Sequence, residues 1–379
     1  MAEALPFHVL VLIFRAARVG GHDFDHGGET VAWDSNRSTR LLCQVCRGWY
    51  DAGTSNLYRS ISIVGGDTAE LFLRTLRARP ELARLVRFAA VGVVGDDDEA
   101  ADAEAQSSQL LEVVESLELL AHLQVRPLHH ALRPRLHAAV QSRQLTSLVL
   151  LPRTDPSDQS LYHELDLFEL VTPSMQYLEV DFDASSVPHP HAPLPTFPTL
   201  ALIDFRSFSS GNEFVTLELI KAAGPTLLSV SVYFETLFSN TSLVADALAP
   251  SLSTLRNLSF LTNPTIGILE DRYRRRGPHL FDRLLPSFVR LESLCTSATE
   301  VSSDVFSLLP ASLRDLEIQS LNDRPAFEIG KAQEALRDQS IAFHLSDFTI
   351  WEATLREDEV ERMRVEFETR GIELHYIND

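Results

Sequence analysis

Lysine is nearly missing from this chain: Lys221 and Lys331 are the only two, and arginine fills the other 31 of the 33 basic positions. A compositional bias of the source genome is the plainest reading of that, and a functional shortage of lysine acceptors the sharper one. Positive charge of either kind is short as well, 33 Lys+Arg against 53 Asp+Glu, for a formal net charge of −20. Such a surface repels phosphate backbones and anionic lipid, so neither nucleic acid nor a membrane surface is expected as a partner. The deficit is uneven. Residues 1–95 hold 11 Arg and 9 Asp+Glu, a balance of +2, which leaves −22 on residues 96–379.

Cysteine is scarce too. Cys43, Cys46 and Cys295 cannot build the even, dense framework of a disulfide-stapled secreted protein, so a reducing, intracellular setting (cytoplasm or nucleus) is expected. Cys43-Gln-Val-Cys46 is a lone CxxC with no second Cys/His pair at ligand spacing, and it reads as a packed pair rather than a zinc site. No apolar run approaches the ~18 residues that a membrane helix needs. Leu5–Phe14 is apolar enough for a secretory signal core, but Glu3 and Pro6 and the lack of a basic leader argue against that reading.

Catalytic signatures are wanting: there is no GxSxG, no P-loop and no GxGxxG. His22-Asp-Phe-Asp-His26 sits in a Gly-rich stretch, and His129-His130, His189 and His191 have no evident ligand partners. All read as solvated polar residues. The cluster Arg272-Tyr-Arg-Arg-Arg276 reads the same way. The expectation is a chain that is not an enzyme, with no catalytic residue, no metal and no cofactor.

What is present is repetition. Pro173-Ser-Met-Gln-Tyr-Leu-Glu-Val180, Pro198-Thr-Leu-Ala-Leu-Ile-Asp-Phe205 and Pro225-Thr-Leu-Leu-Ser-Val-Ser-Val232 each place apolar residues two, five and seven positions after the proline. Pro250 and Pro286 open variants at two, five and eight (Leu252, Leu255, Leu258; Phe288, Leu291, Leu294), and Pro310 opens one with Leu313, Leu316 and Ile318. The six prolines are 25, 27, 25, 36 and 24 residues apart, the period of a leucine-rich repeat with one lengthened unit. Earlier units fall at Pro80 (Leu82, Leu85, Phe88) and at Leu145, Leu148, Leu150; a later one has Leu345, Phe348 and Ile350.

The final alternation of L-x-x-L-x-L puts two apolar side chains on one strand face, with helices such as 212–223 and 241–249 between strands. No unit has core enough to stand alone, so neighbours must stack. Residues 95–108 read as an acidic loop, and 183–198 and 261–279 as further interruptions. Residues 354–379 read as a cap: a capping box at Thr354-Leu-Arg-Glu357, a helical face of Val360, Met363 and Phe367, Gly371 at the helix end, and a last strand with Ile372, Leu374 and Tyr376.

The N-terminal region has another character. Residues 5–16 predict an apolar helix, 20–37 a Gly/Asp-rich loop, and a second helix starts near Ser38 and runs through Leu41, Leu42, Val45, Cys46 and Trp49. Residues 57–64 alternate as a strand. Leu5-Pro6-x-x-Val9-Leu10-x-x-Ile13-Phe14, followed by Leu42-Cys-Gln-Val45-Cys46-Arg47-Gly-Trp49, resembles the F-box pattern. Leu57-Tyr58-Arg59-Ser60-Ile61 and Arg370-Gly-Ile-Glu-Leu374 are similar to segments of fungal-type F-box proteins with degenerate leucine-rich repeats.

The resemblance implies an α/β protein in two parts: a short all-helical F-box-like module over 1–56, then a curved leucine-rich-repeat-like solenoid over 57–379. It implies a substrate-recognition adaptor of a Skp/cullin/F-box ubiquitin ligase. Leu5, Pro6, Val9, Leu10, Ile13, Phe14, Val45, Cys46 and Trp49 would form the core and adaptor-facing surface, with a Skp-family adaptor and a cullin-based ligase as partners. An unknown protein target would meet the repeats. Strand positions that alternate with the core are the expected target contacts: Glu179, Asp181, Asp204, Arg206, Ser231 and Tyr233. The other reading is a leucine-rich scaffold without a ligase connection, the N-terminal helices being a cap.

Overall fold

The computed structural model describes residues 47–93, 100–126, 128–151, 170–182, 197–207, 213–234, 241–262, 279–302, 304–319, 333–334, 337, 344–351 and 357–377. The chain divides into two compact units, Met1–Leu161 and Tyr162–Asp379. The described elements are of α/β type.

In the first unit, helix α1 (Arg47–Arg59) leads into β1 (Ser60–Val64), then α2 (Gly66–Ala78), β2 (Phe88–Gly92), α3 (Ala100–Ser116), β3 (His122–Val125), α4 (Arg133–Gln141) and β4 (Ser147–Leu150). The four strands pair in chain order, all parallel. The second unit runs β5 (Tyr177–Phe182), β6 (Leu202–Ser207), α5 (Glu213–Ala223), β7 (Ser229–Phe234), α6 (Thr241–Leu248), β8 (Asn257–Thr262), α7 (Leu280–Leu284), β9 (Ser293–Ser297), β10 (Asp315–Gln319), β11 (Asp347–Trp351), α8 (Glu357–Thr369) and β12 (Glu373–Ile377). Its eight strands also pair in chain order, all parallel.

One register serves every pair. Leu178, Ile203, Val230, Leu258, Leu294, Leu316, Phe348 and Leu374 stand opposite one another along the second unit. All eight are buried. Just before the strands a second device repeats. The carbonyl of Ala201 accepts from both Leu228 and Ser229 (2.8 and 3.1 Å), that of Leu228 from Arg256 and Asn257 (2.8 and 3.1 Å), and that of Arg256 from Glu292 and Ser293 (2.7 and 3.0 Å). Gln176, Glu292 and Arg314 do the same in the second unit, and Arg87 and Ala121 in the first. Both lone pairs of one carbonyl are thus used where the chain enters β3, β4 and β6 to β11, which pins the register before the ladder begins.

The motif that holds steady is L-x-x-L-x-L, not its distance from proline. In the Pro250 unit the buried set is Leu255, Leu258 and Phe260, while Leu252 is half-buried. In the Pro286 unit it is Leu291, Leu294 and Thr296, with Phe288 buried as expected. The expected two-five-eight variants are the same motif moved three residues on, with a 3-10 turn taking up the difference (Ala249–Ser251, Leu285–Ser287). The Pro80 unit is displaced further. Val86, Ala89 and Val91 form its core, and Phe88, expected inside, stands at an outward register position. Small Ala89 hides the motif from a search for leucine.

Two other expectations are corrected. Residues 57–59 belong to α1 and the strand begins at Ser60: no Gly or Pro follows Gly53 to stop the helix, and the Tyr58 ring packs on Phe72 of α2 at 6.4 Å. Residues 100–108, expected as loop, are the first half of α3. Ala, Glu and Gln are good helix formers, and acidic residues suit a helix N-terminal turn. This helix lies close to α2, where a Cβ at Gly66 would come within 3.4 Å of the Gln106 backbone.

The threonine after Pro198 and after Pro225 also has a cause. Thr199 Oγ1 lies 2.8 Å from the Met175 carbonyl and Thr226 Oγ1 lies 3.0 Å from that of Leu200, so each hydroxyl reaches the turn of the preceding unit. Thr226→Val should therefore lower stability by about 1–2 kcal/mol, as urea unfolding would measure, with the fold unchanged.

At the C-terminal end the helical face Val360, Met363 and Phe367 is buried as expected. Phe367 stacks on Phe348 (5.0 Å, 14°), and Phe306 meets Phe348 edge-on (5.4 Å, 79°). Gly371 takes φ 73° as the chain leaves α8 for β12. Thr354, the first residue of the expected capping box, lies outside the described residues. No described helix is long and apolar enough to cross a membrane.

Candidate functional site

Because alternate strand residues are buried, the others share the opposite face of each sheet. In the first unit that face is nearly free of charge: Ser62, Ala90, Gln124 and Val149 share one register row. Burial holds the His122 imidazole below its ordinary pKa, with the Arg59 charge as second cause.

The second unit's outward face is different. Tyr177, Leu202, Ser229, Asn257, Ser293, Asp315, Asp347 and Glu373 form its first register row. Glu179, Asp204, Ser231, Ser259, Cys295, Glu317, Thr349 and His375 form the next. Glu179, Asp204, Ser231 and Tyr233, expected as target contacts, all stand at outward positions and are half-buried. Asp181 and Arg206 are register partners, but their side chains lie outside those described. Of the expected adaptor set only Trp49 is described, half-buried on α1. Leu5, Pro6, Val9, Leu10, Ile13, Phe14, Val45 and Cys46 lie outside.

Several of these side chains are held in place. The Tyr177 hydroxyl donates to Glu179 Oε2 at 2.6 Å, and Gln319 Nε2 donates to Glu317 Oε1 at 2.8 Å. Gln319 Nε2 also lies 3.6 Å from Cys295 Sγ. Burial, with the Glu317 charge second, pushes the Cys295 thiol up to about 12, so it remains a neutral thiol and not a nucleophile. Asp204 Oδ1 and the Trp351 indole nitrogen are sealed from solvent, with no hydrogen-bond partner among the described residues.

Strands β10 to β12 gather acids that the sequence reading passed over. Asp315, Asp347 and Glu373 follow one another across the register, and His375 Nε2 lies 3.6 Å from Asp347 Oδ1 and 3.7 Å from Glu373 Oε1. Burial raises the Asp315 carboxyl above its usual range, and the neighbouring Asp347 carboxyl adds to this. The Arg314 guanidinium bonds the carbonyls of Ala311, Leu313 and His344. Asp347, Glu373 and His375 present ligand atoms within 4.8 Å of one another, a donor set that a divalent ion could share. The set is open to water, and a guanidinium or ammonium group would suit it equally. Glu317 and His375 sit at the same offset from L-x-x-L-x-L as Glu179 and Asp204, while Asp315, Asp347 and Glu373 sit two residues earlier, at the offset of Tyr177 and Leu202; both offsets alternate with the core, and that is the signal that could have found them.

No protein-family model matches this chain, and no curated protein matches its sequence.

Proposed function

We propose that this chain is a substrate receptor of a Skp/cullin/F-box ubiquitin ligase, with no chemistry of its own. In this reading residues 5–49 hold a Skp-family adaptor. The strand–helix units form a curved leucine-rich solenoid, and the outward face of the second unit holds a target protein. The observation that carries the reading is the pairing of two patterns in one chain: the Leu5-Pro6 to Trp49 motif, and directly after it a series of parallel strands in one L-x-x-L-x-L register. Such a receptor would work in cytoplasm or nucleus. A scarcity of lysine suits a protein held beside ubiquitin-transfer machinery, since it offers few acceptor amines.

A second reading, a leucine-rich scaffold capped by its N-terminal helices, is favoured by the seat of α1. Arg79 Nη1 donates to the Tyr50 hydroxyl at 3.2 Å and Tyr58 packs on Phe72, so α1 is fastened to the first repeat.

Co-purification with a Skp-family adaptor separates the two. The full chain should form a stoichiometric complex, and the Leu10→Asp/Ile13→Asp double variant should lose it while keeping its circular dichroism and melting temperature. A folded wild-type chain that captures no adaptor would leave the scaffold.

A further inference from the structure

The outward face of the second unit is charged at its two ends and neutral between them. Glu179 and Asp204 are register neighbours on β5 and β6. Asp315, Glu317, Asp347 and Glu373 fall on β10, β11 and β12. Between the two groups the second outward row is Ser231, Ser259 and Cys295 on β7, β8 and β9. Each of those three side chains is small and uncharged, the thiol included.

From β6 to β10 is four strand spacings, roughly 19 Å. An extended chain rises about 3.3 Å per residue, so the gap corresponds to about six residues of peptide laid across the strands. Local cations match only part of this charge: His375 lies against Asp347 and Glu373, and the Arg314 charge acts on Asp315. Among the described side chains no lysine or arginine stands in these two rows, and His375 is the only basic side chain in them. The two glutamates are held by Tyr177 and Gln319, so they lose little freedom when a cation arrives.

We infer that this face binds an extended, bipartite basic segment of a partner protein: two basic ends, one on each acidic group, joined by about five small neutral residues over the β7–β9 floor. The inference rests on the reading that this face holds the target. It names the target's chemistry. The neutral floor is the discriminating feature, because a uniformly acidic face would take any polycation, whereas this one matches a spacing. Small floor side chains also leave the backbone of a guest room to approach.

The test uses the full chain and fluorescein-labelled peptides of sequence Arg-Arg-Gly-Ser-Ala-Ser-Gly-Arg-Arg, read by anisotropy. The two-ended peptide should bind at least about tenfold more tightly than peptides with either arginine pair replaced by alanine, because the second contact is intramolecular. It should also exceed a version whose linker is cut to one residue. Glu179→Gln/Asp204→Asn and Asp315→Asn/Asp347→Asn should each reduce the two-ended peptide to the one-ended level, without changing the melting temperature by more than a few degrees. Equal affinity for one-ended and two-ended peptides, or no binding by any, overturns the inference. So does binding abolished by a chelator, which would mark Asp347, Glu373 and His375 as a metal site. Adaptor capture is measured apart from this assay, so failure of one leaves the other standing.

Discussion

Phe367→Ala should remove about 3–5 kcal/mol from the second unit. The ring is fully buried, stacked on Phe348 and set against Phe306 at 6.3 Å, so the deletion forfeits both its transfer from water and two aromatic contacts. The space left behind is walled by α8, β11 and a 3-10 turn, and such a site collapses only in part. A domain is stable by only about 5–15 kcal/mol, so a loss of this size is a large share of the whole. Hydrogen exchange should show where it falls: amides of β11 and β12 lose protection first, since each unit of a stacked array leans on its neighbours. Val365→Ala, on the same helix but 53% exposed, should change stability by no more than about 0.5 kcal/mol. Equal effects at the two positions would contradict the assignment of the buried face.

The second large effect tests the sheet. Val230→Asp places a carboxylate between Ile203 and Leu258, at a position 1% exposed. An uncompensated charge there costs about 3–5 kcal/mol, and the variant should be unfolded or aggregated on expression. Ser231→Asp, one residue on, points the same group to the opposite face and should express as a folded protein with a melting temperature near that of the parent. The contrast follows from the two-residue period of a strand. It also bears on binding, because Ser231 belongs to the neutral floor: a charge there should relax the need for two separated basic ends.

The repeats were legible because a leucine at every third or second position is a covalent fact, and burial of those side chains is what the stack requires. Leu178, Ile203 and Val230 were placed correctly from spacing alone. Phe88 was not. Pattern reading gives weight to size, and the fold there buries Ala89 and lets the larger ring stand outside. The Pro250 unit misled at Leu252 for a related reason: proline marks where a helix stops, while the strand begins where the previous unit's carbonyl can accept two amides. That second condition depends on a partner far along the chain, so no local reading reveals it. The helix at Ala100–Ser116 was hidden by its acidic start, which resembles a solvated loop until the buried run Leu110, Leu111, Val113 and Val114 is counted with it. Of the binding face, the sequence pointed to the β5–β7 portion through one offset from the motif. Three of the acids on β10 to β12 fall at the other outward offset, that of Tyr177 and Leu202, and they become a group only when strands 32 and 26 residues apart (Asp315 to Asp347, Asp347 to Glu373) lie side by side.

The two-amide carbonyl that opens β3, β4 and β6 to β11 has a consequence for the history of such a chain. Those eight junctions are chemically the same: one backbone acceptor, two backbone donors, one register. No side chain of a particular unit is needed to make them. A duplication or loss of one whole unit therefore joins ends that already fit, and inside and outside stay where they were. Insertion of a single residue between that carbonyl and the ladder turns every later side chain of its strand over. Copy number is thus free to drift while phase is not, and a lineage built this way would vary in length by whole units, with the extra residues of the 36-residue step from Asn257 to Ser293 confined to the connection, where phase is not at stake.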